Sequence, residues 1–230
     1  LLQQLYSTVD SIVLGRFVGK TALGAVGGSN TAIINLLVGF FVGLASGASV
    51  IIAQHYGAKE GRLVRRGVYT AIVLSIALGA FLTVVGIGSA RALLTALATP
   101  DDLMQYSMDY LQWYYAGMIP AMIYNMGSGI LRAVGDSKRP LYFLAVCMLV
   151  NTVLDLFFVA VLRMEVKGAA IATSLSQLIC AVLVIRTLRR RDDSCCLRAE
   201  KHGFDWKLLG RMLAIGLPAG VQSTLYSITN

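Results

Sequence analysis

Charge is scarce in this chain. Only 14% of its 230 residues are charged, 57% are apolar, and the mean hydropathy is +0.70. Soluble domains carry about 25% charge, so an ordinary soluble domain is excluded and an integral membrane protein is expected. No stretch is polar enough to form a separate soluble domain. Cysteine is also sparse, at four residues. Cys147 and Cys180 lie in apolar runs and read as small core residues. Cys195 and Cys196 are adjacent, which is no metal-ligand spacing. The chain opens on Leu1, with neither a methionine nor a basic signal-peptide leader, and it stops at Asn230 inside an apolar pattern. Both ends read as cuts in a longer protein.

What is present is a series of apolar runs, each about long enough to cross a bilayer. Their length and repetition predict an all-α polytopic helical bundle and not a barrel. The first span is expected over 1–18 and the second over 30–54, where Gly39, Gly43 and Gly47 form a small-residue stripe suited to close helix contact. A loop over 55–66 leads to a third span over 67–90. A loop over 91–103 then holds Thr99-Pro100-Asp101-Asp102, a helix-start signal. The fourth span, 104–131, contains Pro120 and should kink there. The fifth runs over 141–162 and the sixth over 168–185. A polar linker over 186–207 precedes a seventh span that starts near Leu208.

Basic residues fall unevenly on the connections. One alternate set of loops holds 14 Lys and Arg, among them Arg65, Arg66, Arg139 and Arg189 to Arg191, and the other set holds 5. By the positive-inside rule the rich set is cytoplasmic. The net charge of +8 is then a topology signal and not a nucleic-acid footprint; the run Arg189-Arg190-Arg191 needs no function beyond topology, with binding of anionic lipid headgroups as the alternative.

Two acids stand well inside apolar spans, Asp10 and Asp155. A carboxylate at the centre of a spanning helix costs about 2.5–3.5 kcal/mol on insertion scales, so it marks an ion or proton path. Asn151 lies four residues before Asp155, on the same helical face. An amide oxygen and a carboxylate there can hold a proton or a small hard cation; a plain interhelical hydrogen-bond clamp is the alternative. Tyr6 stands one turn before Asp10, and Thr173 lies in the sixth span. Two carboxylates buried close together do not both stay ionised without a cation, which is the chemistry of a proton or sodium switch. The segment Leu5–Asp10 also resembles Leu225–Asn230, as an internal repeat of the same orientation would.

Several stretches together resemble the multidrug and toxic-compound extrusion (MATE) family, in its prokaryotic branch. They are Val9-Asp10-Ser11 with Gly15 and Gly19, Ala53-Gln54-His55-Tyr56-Gly57-Ala58, the run from Leu131 to Pro140 (LRAVGDSKRP), Asn151 to Asp155, and Gly168 to Thr173. The resemblance covers essentially the whole chain. It implies a six-helix N-terminal lobe over 1–185, a cytoplasmic inter-lobe linker over 186–207, and the start of a second lobe over 208–230 in a twelve-span, two-lobe transporter. It implies a cation or proton coupling site at Asp10, Asn151, Asp155 and Thr173, able to hold Na+, within a hydrogen-bond network that includes Tyr6 and Tyr110. The family's early first-span proline has no counterpart after Leu1.

The function this implies is a cation-coupled (H+ or Na+) antiporter that exports amphipathic or cationic organic compounds across the cell membrane. It needs no cofactor beyond the coupling ion. The expected partners are membrane lipid, a small organic substrate and the second lobe, and no nucleic acid. A lipid-linked oligosaccharide flippase is the alternative, but it calls for intramembrane Arg or Lys toward phosphate, and the centres of the spans have none. An intramembrane aspartyl protease would use Asp10 and Asp155. These acids follow Val9 and Leu154, and Gly135-Asp136 falls in a cytoplasmic turn, so no enzyme is expected.

Overall fold

The computed structural model describes residues 15, 16, 18, 24, 30–190, 197 and 204–229, and all regular structure among them is helical. The elements are α1 (Thr31–Gly57), α2 (Gly61–Ala96), α3 (Asp101–Ala116), α4 (Met118–Ala133), α5 (Lys138–Asp155) continued by a π-helical turn (Leu156–Val161), α6 (Glu165–Arg189) and α7 (Trp206–Thr229). Among the described residues four helices are long and apolar enough to span a membrane: Ile33–Gly57, Gly61–Ala96, Lys138–Val161 and Glu165–Arg189. Of the first expected span only residues 15, 16 and 18 are described, and Asp10 and Tyr6 lie outside the described residues.

The helices outrun the apolar runs that announce them. α2 has 36 residues, or about 54 Å at 1.5 Å per residue, and carries Arg62, Arg65, Arg66 and Arg91 on its two ends. The connections expected over 55–66 and 91–103 therefore shrink to short turns. At the first of them Lys59 takes a left-handed φ of 58°. At the second, Asp101 and Asp102 begin α3 and favour its positive N-terminal end, but no side chain caps the helix. The turn before α5 needs its glycine. Gly135 sits at φ 82° while Asp136 N–H reaches back to the Leu131 carbonyl at 2.9 Å, a Schellman-type ending. Asp136 then accepts the Arg139 N–H at 3.2 Å and starts the next helix.

The fourth expected span is two helices. The kink falls at Gly117, three residues before Pro120, and Pro120 occupies the first turn of α4, where its missing N–H is tolerated. Backbone carbonyls at this break find new donors. Ser174 Oγ donates to the Trp113 carbonyl at 2.9 Å, and Thr83 Oγ1 donates to the Tyr115 carbonyl at 2.9 Å. Hydroxyls from neighbouring helices are what makes such a break viable in a bilayer. A Cβ on Gly117 would stand 2.5 Å from Ser174 Oγ, so the contact requires glycine.

The glycine stripe of α1 is also used. Gly43 and Gly47 face Gly220 and Gly216 of α7, so two backbones meet with no side chain between them. The pairing runs antiparallel, from Arg211 Nη2 to Gln54 Oε1 at 3.5 Å to Thr224 Oγ1 on the Leu36 carbonyl at 3.4 Å. The foot of α7 is tied to α2: Asp205 N–H meets Thr70 Oγ1 at 3.1 Å, and its carboxylate lies 3.7 Å from Arg66. One apolar core gathers Ile51, Ile52, Val68, Ile130, Val184 and Met212 from α1, α2, α4, α6 and α7. A second joins Phe41, Leu94, Leu111 and Met122 from α1 to α4.

Candidate functional site

α5 is built inside out. Its buried residues are Pro140, Cys147, Asn151 and Asp155, while Leu149 and Val153 on the opposite side are 64% and 65% exposed. In water this would be a poor helix; in lipid, an apolar outer face and a polar inner face are what a packed span presents. Asn151 and Asp155 share the inner face, one turn apart, at 1% and 0% exposure.

α6 lies against that face. Asn151 Nδ2 donates to Thr173 Oγ1 at 3.5 Å, and Thr173 is 4% exposed. Of the residues expected at the site, the structure thus places Asn151, Asp155 and Thr173 on the buried faces of α5 and α6. Asp10 and Tyr6 fall outside the described residues. Tyr110 is buried on α3, against Val159, Val166, Ala169 and Ala170. These are the turns next to Asp155 and Thr173. Its ring stacks on Tyr114 with centroids 6.2 Å apart. A cavity of about 10 Å³ borders Thr173, Tyr114 and Gly117, at the lower limit for a single water.

Two features of the site carry no sequence signal. The α-helix ends at Asp155 and gives way to the π turn Leu156–Val161; such turns recur at functional sites. Ser176, at 0% exposure, donates to the Thr173 carbonyl at 2.8 Å and extends the polar seam along α6. Asn30 is a further buried polar residue, one that no spacing within the sequence marks. It stands at the head of α1 and donates from Nδ2 to the Ser107 carbonyl at 3.2 Å. Both sit in short polar clusters, Ser29-Asn30-Thr31 and Thr173-Ser174-Leu175-Ser176-Gln177, where sequence does not say which member turns inward. Asp109 in the middle of α3 and Lys167 in the first turn of α6 form an ion pair at 3.3 Å.

The arrangement supplies hard oxygen donors on two adjacent helices: a carboxylate, an amide and a hydroxyl. This set suits a proton or a small hard cation and offers nothing to a soft one. Among the described residues no group of three or more His, Cys, Asp or Glu is placed to hold a metal ion.

The family model MatE matches residues 1–157. The probable multidrug resistance protein YpnP of Bacillus subtilis (strain 168) is 32% identical over 223 residues, 96% of this chain and 49% of YpnP. The probable multidrug resistance protein YoeA of the same organism is 30% identical over 238 residues, 100% of this chain and 51% of YoeA. Among solved structures, a MATE protein in the bent conformation superposes with a TM-score of 0.92 at 26% identity, covering 99% of this chain and 50% of that one. The chain spans about half the length of the curated relatives it matches.

Proposed function

The chain belongs to the MatE family, and from that premise we propose that it is the first lobe of a cation-coupled exporter of organic compounds, with Asp155 as its switchable charge. The observation that carries this reading is the complete burial of Asp155 on the inner face of a spanning helix, one turn from Asn151, which itself bonds to Thr173 of α6. A carboxylate with low solvent access responds strongly to whether a proton or cation neutralises it. Asn151, bonded to Thr173, offers an amide on the same buried face one turn before that carboxylate. Thr173 lends a hydroxyl oxygen that serves either ion. Asp10 is the second carboxylate of the proposed set and tunes its partner. Sodium and protons both fit these groups.

The matches to multidrug-resistance proteins support export of amphipathic or cationic organic compounds over the flippase reading, and a family of transporters supports a non-enzymatic role. Residues 1–185 then act as one lobe, 186–207 as the cytoplasmic link and 208–230 as the entry to the second lobe.

The test is gradient-driven export by the protein in reconstituted vesicles, with sodium and pH gradients imposed separately. Asp155→Asn keeps shape and removes charge, so folding and drug binding persist while ion-dependent export is lost. Export at the parental rate under the same gradient would make Asp155 structural and end this reading.

A further inference from the structure

Cys147 and Cys180 have no part in the coupling reading. They are nevertheless a closely placed pair of reactive groups. Cys147 on α5 is 2% exposed and Cys180 on α6 is 0% exposed; neither is in a disulfide. Cys147 Sγ donates to the Ser176 carbonyl at 2.9 Å. Cys180 Sγ donates to the Phe143 carbonyl at 3.3 Å. Phe143 lies one turn before Cys147, and Ser176 one turn before Cys180. Each thiol therefore clasps the opposite helix at the carbonyl one turn before the other cysteine.

We propose that Cys147 and Cys180 form a buried dithiol site for a soft electrophile with two open positions, either a thiophilic divalent metal ion or a trivalent organoarsenical. Three arguments lead there. Thiolate ligands select soft acceptors. A tetrahedral zinc site needs more ligands, and no cluster of three or more His, Cys, Asp or Glu exists among the described residues. The surroundings are apolar, since both cysteines belong to the cluster that holds Ile130, Leu131, Val184 and Leu188. There the net charge of the product decides. A monovalent ion on two thiolates leaves a net negative charge in that core. A divalent ion, or an arsenical that loses its oxygen, leaves none.

The chemistry balances in both cases. With mercuric ion, two S–H bonds break, two Hg–S bonds form and two protons go to water. With phenylarsine oxide, two As–S bonds form and the thiol protons leave with the arsenical oxygen as one water. Each product replaces two weak S–H···O contacts with a covalent bridge between α5 and α6. Cys147 stands one turn from Asn151, so the bridge forms next to the coupling pair. Because both sulfurs are buried, reaction waits on local parting of the α5–α6 seam and is slow.

The experiment uses the full chain with Cys195→Ser and Cys196→Ser, so that only the buried pair remains. Phenylarsine oxide is added, and mercuric chloride in a parallel sample. Intact mass, and alkylation after unfolding, count the arsenic or mercury bound and the thiols consumed. The expected result is one arsenic per chain with both thiols lost, resistant to excess glutathione and released by 2,3-dimercaptopropanol. Cys147→Ala or Cys180→Ala should weaken retention against glutathione on the order of a hundredfold, the usual gain from a second tethered contact. Thermal melting shows whether each variant is folded. If either is not, the stoichiometry of the unsubstituted pair decides alone. One electrophile per two thiols supports the site. Two electrophiles, one thiol consumed, undiminished retention in a folded single variant, or no reaction just below the melting temperature would each overturn it.

Discussion

Replacing Gly47 with alanine should destabilise the protein, although alanine is the better helix former. In a helix interior Gly→Ala by itself gains about 0.5–1 kcal/mol. A Cβ at Gly47, however, would lie 2.5 Å from the Gly216 nitrogen and 2.5 Å from the Met212 carbonyl, and both are backbone atoms of α7. Ordinary carbon contacts need roughly 3.5–4 Å, so α7 must retreat by about an ångström along this stretch. Overpacking of this kind costs about 1–3 kcal/mol, which exceeds the propensity gain. Gly43→Ala, against Gly220 and Ala219, should behave the same way. Gly88→Ala in α2 is the control, because nothing lies within 4 Å of its new methyl. The assay is thermal unfolding in detergent. At roughly 2–4 °C per kcal/mol for a chain of this size, Gly47→Ala should melt several degrees low, and Gly88→Ala at or above the parent. If both shift upward together, α1 and α7 do not meet backbone to backbone and the seam is wrong.

Other consequences can be checked more briefly. Ser174→Ala and Thr83→Val each remove a hydroxyl from a carbonyl at the α3–α4 break; each should cost about 0.6–1.7 kcal/mol, and the losses should not simply add if the two share one break. Gly135→Ala places a Cβ at φ 82° and should cost about 1–2 kcal/mol, measured by the same melting assay. Thr173→Val removes the hydroxyl bonded to Asn151; transport should keep its substrate range but need a steeper ion gradient, and an unchanged gradient dependence would count against Thr173. Cys195 and Cys196 should stay unlabelled when intact cells meet a membrane-impermeant thiol reagent, and strong labelling from outside would invert the topology.

Some of this is written in residue order and some is not. The Asn151–Asp155 face follows from a spacing of four, and the structure buries both on one side of α5. The glycine stripe Gly39-Gly43-Gly47 announces a close helix contact, but nothing in its spacing says that α7 supplies the other half. Hydropathy finds spans by their apolar middles and stops at charges. Arginines on the ends of α2 therefore hid its true length, because long side chains extend to the interface while the backbone stays helical. Pro120 announces a kink, yet the chain bends at Gly117. Proline is comfortable in a first turn, and glycine alone admits Ser174 so closely. The π turn after Asp155 and the crossed thiols of Cys147 and Cys180 depend on which faces of separate helices meet, which one-dimensional spacing does not encode.

The packing logic also isolates Asp155. Lipid tails are as apolar as leucine, so burying leucine against leucine adds little to helix association in a bilayer, and small or polar residues carry the specificity instead. The described helices follow this rule. Glycines join α1 to α7, hydroxyls close the break between α3 and α4, and thiols, an amide and a hydroxyl join α5 to α6. Each of these groups is neutral and does its packing work at modest cost. A carboxylate at position 155 adds a penalty of about 2.5–3.5 kcal/mol on insertion scales. Asparagine has nearly the same shape and can join helices by one accepting oxygen and a donating amide without that penalty. Packing alone therefore accounts for a polar residue at 155 but not for a charged one, and the excess is what a group that must gain and lose a cation would require.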